Sequence, residues 1–130
     1  MKILGALVGV LVLGLVSWAL FGQNNTETEP KLTFASIESE VNNGDALLVD
    51  VRTAAEFNEG YYPPAKNVSL QAIEADNYPT QDKAAKIYVY CNSGNRSGQA
   101  TTILKNAGYT NVVDLGGLGD VKSIGGKLST

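Results

Sequence analysis

The sequence contains no histidine, and its 130 residues include a single cysteine, Cys91. Without histidine the chain has no Ser-His-Asp triad, no Cys-His pair and no imidazole general base. One thiol and no imidazole disfavour a zinc site, so we expect no metal and no other cofactor. A single cysteine also excludes an intrachain disulfide. Covalent chemistry would therefore use one thiol that is activated by something other than histidine.

Basic charge is also scarce. The 10 lysine and arginine residues are outnumbered by 13 aspartate and glutamate residues, which gives a formal net charge of −3. Nucleic-acid-binding domains usually carry a basic surface, so we expect no nucleic-acid partner. The length allows one domain and little more.

The N-terminal part differs in composition from the rest. Lys2 is followed by residues 3–22, which carry no charge, and then by a polar, acidic stretch. This pattern predicts either a cleaved signal peptide or a single-span membrane anchor over residues 1–22. A polar linker over residues 23–31 and one domain over residues 32–130 would follow. In both cases we expect the domain to be exported to the periplasm, free or anchored at the inner membrane.

Apolar runs of strand length alternate with helical patterns along the rest of the chain. The clearest strands are residues 46–51 and 87–90, which are apolar enough to be buried on both faces. Further short strands are predicted at residues 32–34, 67–70 and 111–115. Helices are predicted at residues 37–41, 54–59, 71–74, 81–86 and 97–107, with Thr53 and Glu56 as a capping box. Alternation of this kind indicates an α/β domain with a mostly parallel central sheet flanked by helices.

Cys91 directly follows the second buried strand and precedes a loop that leads into the longest predicted helix. Ligands of α/β sheets bind at the carboxyl ends of the strands, and a helix N-terminus there directs N–H groups and positive potential at an anion. Arg96 adds to that potential. A thiol in this position should have a lowered pKa and react as the thiolate. The alternative is that Cys91 is an inert, buried small residue.

The loop length indicates which anion fits. Residues 92–95 separate Cys91 from Arg96, one residue fewer than in tyrosine-phosphatase-type loops. A tighter ring encloses a smaller group, such as one extra sulfur on the cysteine. The loop contains no aspartate or glutamate that could act as a general acid. Sulfur transfer through a persulfide is therefore favoured over a phosphatase or arsenate reductase.

Three segments of the sequence resemble the single-domain rhodanese family, and most closely its small, exported, phage-shock-protein-E-like type. Residues 47–67 are similar to the first signature of that family, residues 91–100 to its active-site loop and following helix, and residues 108–118 to its closing strand. The resemblance covers about residues 34–121. Residues 60–65 depart from the family's common Gly-His-Ile-Pro-Gly-Ala, because Tyr61 replaces the histidine and Pro64 the second glycine.

The resemblance implies a thiosulfate sulfurtransferase that needs no cofactor. Cys91 would accept the sulfane sulfur of thiosulfate and pass it to cyanide or a thiol. Backbone N–H groups of the loop would hold the persulfide; the residues concerned are Asn92, Ser93, Gly94, Asn95, Arg96 and Ser97. Arg96 would also attract the anionic donor and help sulfite to leave. A non-catalytic persulfide carrier or partner-binding domain is the alternative.

Asp50 and Arg52 match the family's Asp-x-Arg at the end of a central strand, where the resemblance implies that they support the site. Base rates for charged residues favour a solvated or purely structural pair instead.

Overall fold

Four parallel strands form one sheet in the computed structural model, which describes residues 28–130. The strands are β1 (Ala46–Asp50), β2 (Lys66–Asn67), β3 (Lys86–Tyr90) and β4 (Val112–Gly116). Their order in the sheet is β2-β1-β3-β4, and every neighbouring pair is parallel. The predicted α/β class with a parallel sheet is therefore confirmed. The carboxyl ends of all four strands meet at one edge of the sheet.

Five helices are described: α1 (Phe34–Asn42), α2 (Ala54–Glu59), α3 (Leu70–Glu74), α4 (Asn95–Asn106) and α5 (Leu118–Ser123). No helix in residues 28–130 is long and apolar enough to span a bilayer. The signal peptide or anchor predicted for residues 1–22 and most of the predicted linker over residues 23–31 lie outside the described residues.

The two buried strands have apolar neighbours on both faces of the sheet. On one face, Val49 of β1 and Val89 of β3 pack with Ala100 and Leu104 of α4. On the other face, the cluster consists of side chains from α1, β1, β3 and α5, among them Phe34, Ile37, Leu48, Tyr88 and Val121. Burial on both faces accounts for the nearly continuous apolar runs in the sequence.

The strand predicted at residues 32–34 is wrong, because those residues begin a helix. The Thr33 hydroxyl accepts a hydrogen bond from the Ser36 N–H at 3.2 Å, and the Ser36 hydroxyl accepts one from the Thr33 N–H at 3.3 Å. This reciprocal cap starts α1 at Phe34 rather than after Ser36. Phe34 and Ile37 then lie one helical turn apart and are both buried.

The second predicted capping box is confirmed. The Thr53 hydroxyl accepts from the Glu56 N–H at 3.2 Å, and Glu56 Oε1 accepts from the Thr53 N–H at 3.3 Å. This cap starts α2 just after β1, so the first turn of α2 lies close to the carboxyl edge of the sheet.

Two other predicted elements differ from the structure. The strand expected over residues 67–70 is confined to Lys66–Asn67, because the Ser69 side chain caps α3 and Leu70 is already helical. Residues 81–86 contain no helix. Instead, the Lys83 ammonium group lies 4.1 Å from the centre of the Tyr109 ring and 5.0 Å from that of Tyr78, which fixes the segment by cation–π contacts.

Candidate active site

Cys91 lies at the carboxyl end of β3, at the edge where the strand ends meet. Its backbone N–H donates to the Gly116 carbonyl at 2.9 Å, which joins it to the end of β4. Its side chain is fully buried among the apolar residues that α4 covers. Cys91 is therefore fixed by its backbone bond to the end of β4 and by the packing of its side chain before the chain turns into α4.

Gly94 turns the chain from the loop into α4. Its φ is +97°, in the left-handed region that favours glycine, and α4 begins directly after it at Asn95. The sequence predicted that this helix starts at Ser97. The Ser97 side chain instead faces Cys91, so Asn95 and Arg96 belong to the first helical turn rather than to the loop.

Two hydrogen-bonding groups lie next to the Cys91 sulfur. The Gly94 N–H donates to Sγ at 2.9 Å, and the Ser97 hydroxyl oxygen lies 3.5 Å from it. The remaining predicted loop residues direct their side chains away. Asn92 and Ser93 are exposed, and the Asn95 amide oxygen accepts from the Gln99 side chain at 2.9 Å. The hydrogen bonds of the Cys91 sulfur are formed with Gly94 and Ser97, not with the side chains of these three residues.

The pKa of Cys91 lies below the ordinary value for a thiol. Burial is the largest influence and opposes ionisation of the sulfur. Hydrogen bonds from the Ser97 hydroxyl and from the backbone N–H groups of Ser97, Gly94 and Ser93 together outweigh it. The site thus favours a thiolate without any imidazole.

Gly117 lets the end of β4 approach the loop closely. A Cβ atom at this position would lie 2.6 Å from the Asn92 carbonyl oxygen and 3.0 Å from the Ser93 Cα. Both contacts are with backbone, which cannot rotate away as a flexible side chain would. The Leu118 N–H also donates to the Asn92 carbonyl at 3.0 Å, so the loop is held against the residues that follow β4.

We expect Gly117→Ala to displace the loop, lower the free energy of unfolding by about 1–3 kcal/mol, and raise the pKa of Cys91. Urea unfolding and a pH titration of thiolate absorbance would measure the two effects. Gly119→Ala is the matched control, because a Cβ atom there meets nothing within 4 Å. Equal behaviour of the two variants would contradict a role of Gly117 in loop geometry.

Arg96 points across the site to α2. Its Nη1 donates to Glu56 Oε1 at 2.7 Å and its Nη2 donates to Oε2 at 2.8 Å, a bidentate ion pair. The side chains of Arg96 and Glu56 are 31% and 33% exposed, so the pair lies at the protein surface. The sequence analysis missed Glu56 as a site residue. The capping box showed that it begins α2, but nothing in the sequence places that turn beside Arg96.

Asp50 and Arg52 form a buried ion pair under the same edge of the sheet. The Asp50 carboxylate accepts from the Arg52 backbone N–H at 2.9 Å, from Nε at 3.0 Å and from Nη2 at 2.7 Å. The Arg52 side chain also donates to the Gly60 carbonyl at 2.6 Å. The prediction of a solvated pair is wrong, since Asp50 is 0% and Arg52 5% exposed. A purely structural pair and a pair that supports the site both stay predictions.

Two tyrosines, Tyr62 and Tyr90, connect this edge to α5. The Tyr90 hydroxyl accepts from the Tyr62 backbone N–H at 3.1 Å, and the Tyr62 hydroxyl donates to the Leu118 carbonyl at 2.7 Å. Tyr61, which stands where a histidine is common, stacks on Phe57 with ring centres 4.3 Å apart. Leu118 follows Gly117, so this network supports the residues that hold the cysteine loop.

The described residues contain no group of three or more side chains that could hold a metal ion. The chemistry available at this edge is that of a thiolate nucleophile surrounded by backbone N–H donors. Neither nearby guanidinium has an unpaired charge, because Arg52 is bound to Asp50 and Arg96 to Glu56.

Comparison with known proteins places this geometry in context. The model of the rhodanese-like domain family matches residues 33–123. Thiosulfate sulfurtransferase PspE of Escherichia coli is 38% identical over 74 residues, which cover 56% of this chain and 71% of that protein. A sulfurtransferase of Allochromatium vinosum is 38% identical over 73 residues, covering 56% of this chain and 67% of that protein.

Solved structures are similar over the same region. The structure of a rhodanese with anions from E. coli has a TM-score of 0.57 and 34% sequence identity, covering 65% of this chain and 98% of its own. The human single-domain sulfurtransferase TSTD1 has a TM-score of 0.56 and 25% identity, covering 68% of this chain and 89% of its own.

Proposed function

Since the chain belongs to the rhodanese-like domain family, we propose that it is a sulfurtransferase in which Cys91 carries the transferred sulfur. The observation that supports this most strongly is the position of the Cys91 sulfur, 2.9 Å from the Gly94 N–H at the turn between β3 and α4. Because the pKa of Cys91 is lowered there, the site favours the thiolate nucleophile, which needs no cofactor.

The proposed donor is thiosulfate. The Cys91 thiolate attacks the outer, sulfane sulfur of thiosulfate, a new S–S bond forms, and the original S–S bond breaks with its electron pair leaving on sulfite. The product is a deprotonated persulfide on Cys91. Cyanide or a thiolate then attacks the outer sulfur of that persulfide, which releases thiocyanate or a new persulfide and restores the Cys91 thiolate. No oxidant or reductant is consumed in either step.

The proposed binding residues are those around the turn: Asn92, Ser93, Gly94, Asn95, Arg96 and Ser97. Their backbone N–H groups would stabilise the negative charge of the persulfide, as donors at a helix N-terminus do. The guanidinium of Arg96 would contribute the part of its attraction for the donor that Glu56 does not offset. Asp50 and Arg52 would support the site from below without contacting the donor, because both are buried.

The test is formation of thiocyanate by the full-length chain supplied with thiosulfate and cyanide. Turnover that requires the protein would support the proposal. A persulfide that forms without turnover would indicate a sulfur carrier instead. Absence of sulfur uptake by the folded protein would overturn the proposal, and phosphate esters and arsenate would then be the substrates to try.

The rate of sulfur uptake should depend on pH through ionisation of Cys91. Because only the thiolate attacks, the rate should rise with pH to a plateau, with a midpoint below the ordinary pKa of a cysteine. Ser97→Ala removes a hydrogen bond that stabilises the thiolate, so its midpoint should move to higher pH. Thr102→Ala removes an exposed hydroxyl on the same helix and should leave the midpoint unchanged. A midpoint that does not respond to Ser97 would contradict this account of thiol activation.

We also propose that the domain works in the periplasm. The uncharged residues 3–22 after Lys2, followed by a polar stretch, support export by a signal peptide or anchor. N-terminal sequencing of the protein recovered from a periplasmic fraction would separate these two forms, and recovery from the cytoplasm alone would contradict export.

A further inference from the structure

Glu56 places a negative charge at the mouth of the site. Both of its carboxylate oxygens accept hydrogen bonds from Arg96, at 2.7 and 2.8 Å. The hydrogen bonds from Arg96, helped by those from Thr53, lower the pKa of Glu56 to about 2 against the opposing effect of its burial. Glu56 is therefore a carboxylate at any pH at which the protein works, and it is exposed enough to face an incoming ligand.

The charges around Cys91 are consequently balanced in pairs. Arg96 is the charged side chain that the sequence predicts to attract an anionic donor, and the carboxylate of Glu56 neutralises its charge. The other guanidinium, that of Arg52, is bound to the buried carboxylate of Asp50. A donor approaching the Cys91 thiolate thus meets backbone N–H groups and a neutral ion pair rather than a free cation.

The effect of Glu56 on a sulfane donor depends on the charge of that donor. The Coulomb energy between Glu56 and a donor is proportional to the donor's charge, so Glu56 offsets about twice as much of the attraction of Arg96 for a dianion as for a monoanion of similar shape. Thiosulfate carries two negative charges. Organic thiosulfonates and deprotonated organic persulfides carry one, and they transfer the same outer sulfur to a thiolate.

We propose that Glu56 is a specificity-determining residue, which removes the advantage that an unpaired Arg96 would give to dianionic thiosulfate and so shifts selectivity towards singly charged organic thiosulfonates and persulfides. The inference deepens the sulfurtransferase activity proposed above and rests on it. In the reaction with a persulfide the Cys91 thiolate attacks the outer sulfur of R–S–S⁻, and the S–S bond breaks with its electrons leaving on the thiolate R–S⁻. With a thiosulfonate the leaving group is a sulfinate.

Glu56→Gln separates this role from the role of Glu56 in the helix cap. The glutamine side chain keeps an oxygen that can accept from Thr53, but it carries no charge. Glu59→Gln is the matched control, because it removes the same charge from an exposed position of α2 and Glu59 forms no ion pair with Arg96.

The experiment compares two donors of similar size, thiosulfate and the methanethiosulfonate anion, with cyanide as acceptor and the full-length chain as enzyme. In Glu56→Gln we expect kcat/KM to rise about tenfold for thiosulfate and only about threefold for methanethiosulfonate, because the energies scale with donor charge. Glu59→Gln should change either value less than twofold. Equal changes for both donors, or no change, would overturn the proposal, since a merely structural role would affect both donors alike.

A second measurement does not depend on turnover. Cys91 is the only thiol in the chain, so thiolate absorbance during a pH titration reports on it alone. Removing the negative charge of Glu56 should lower the pKa of Cys91 in Glu56→Gln but not in Glu59→Gln. If neither donor delivers sulfur, the sulfurtransferase proposal fails. The titration then still decides whether Glu56 controls the potential at Cys91, and an unmoved midpoint would overturn that control.

Discussion

Cys91→Ser is expected to abolish thiocyanate formation from thiosulfate and cyanide. A serine hydroxyl does not ionise in a site that lowers the pKa of a thiol only by hydrogen bonds, and its oxygen cannot form a persulfide. The rate should fall by at least about 10³-fold, to that of the solution without protein. The substitution changes one atom, so the hydrogen bond from the Gly94 N–H can be kept.

The control is the free energy of unfolding of Cys91→Ser, which shows whether the variant is folded. Cys91 is fully buried, and the smaller serine should change the free energy of unfolding by about 1 kcal/mol or less if the hydroxyl takes over the hydrogen bonds of the thiol. Lost turnover in a folded variant would assign the chemistry to the sulfur atom. Turnover that survives at more than a few per cent would show that another group reacts.

Asp50→Ala is expected to lower the free energy of unfolding by about 3–5 kcal/mol, which is the largest effect on stability that we predict. Asp50 is 0% exposed and accepts three hydrogen-bond donors of Arg52. Alanine would leave the Arg52 guanidinium buried with the Gly60 carbonyl as its one remaining partner among the contacts described. An unpaired buried charge is much more costly than a missing buried pair.

Urea unfolding of residues 28–130 would measure this effect, since residues 32–130 form one compact unit. Asp45→Ala is the matched control, because Asp45 is exposed just before β1 and should contribute within about 0.5 kcal/mol. The double variant Asp50→Ala/Arg52→Met should be more stable than Asp50→Ala alone, because it removes the stranded charge. A cost for Asp50→Ala below about 1 kcal/mol would contradict the buried-pair interpretation.

The parts of the fold that depend on local pattern were predictable. The apolar runs at β1 and β3 are buried on both faces, and the capping box of Thr53 and Glu56 starts α2 as expected. The local sequence pattern was insufficient where it was compatible with both a helix and a strand. Thr33 began a helix rather than a strand, because its hydroxyl caps the chain together with Ser36.

The site was predictable only in part, for the same reason. The position of Cys91 between β3 and α4 was predictable, because it follows from the order of strand, cysteine and helix along the sequence. The ion pair between Glu56 and Arg96 joins residues far apart in the chain, and it exists because α2 and α4 both begin at the carboxyl edge of the sheet. The spacing of Asp50 and Arg52 was visible, but their burial depends on what packs over the strand end.

The most direct test of sulfur carriage by Cys91 is the mass of the full-length chain after incubation with thiosulfate and removal of the excess. We predict a gain of one sulfur atom, located on the peptide that contains Cys91 and lost again on addition of cyanide. An unchanged mass in the folded protein, or a sulfur atom that stays when cyanide is added, would contradict the proposal that Cys91 transfers sulfur.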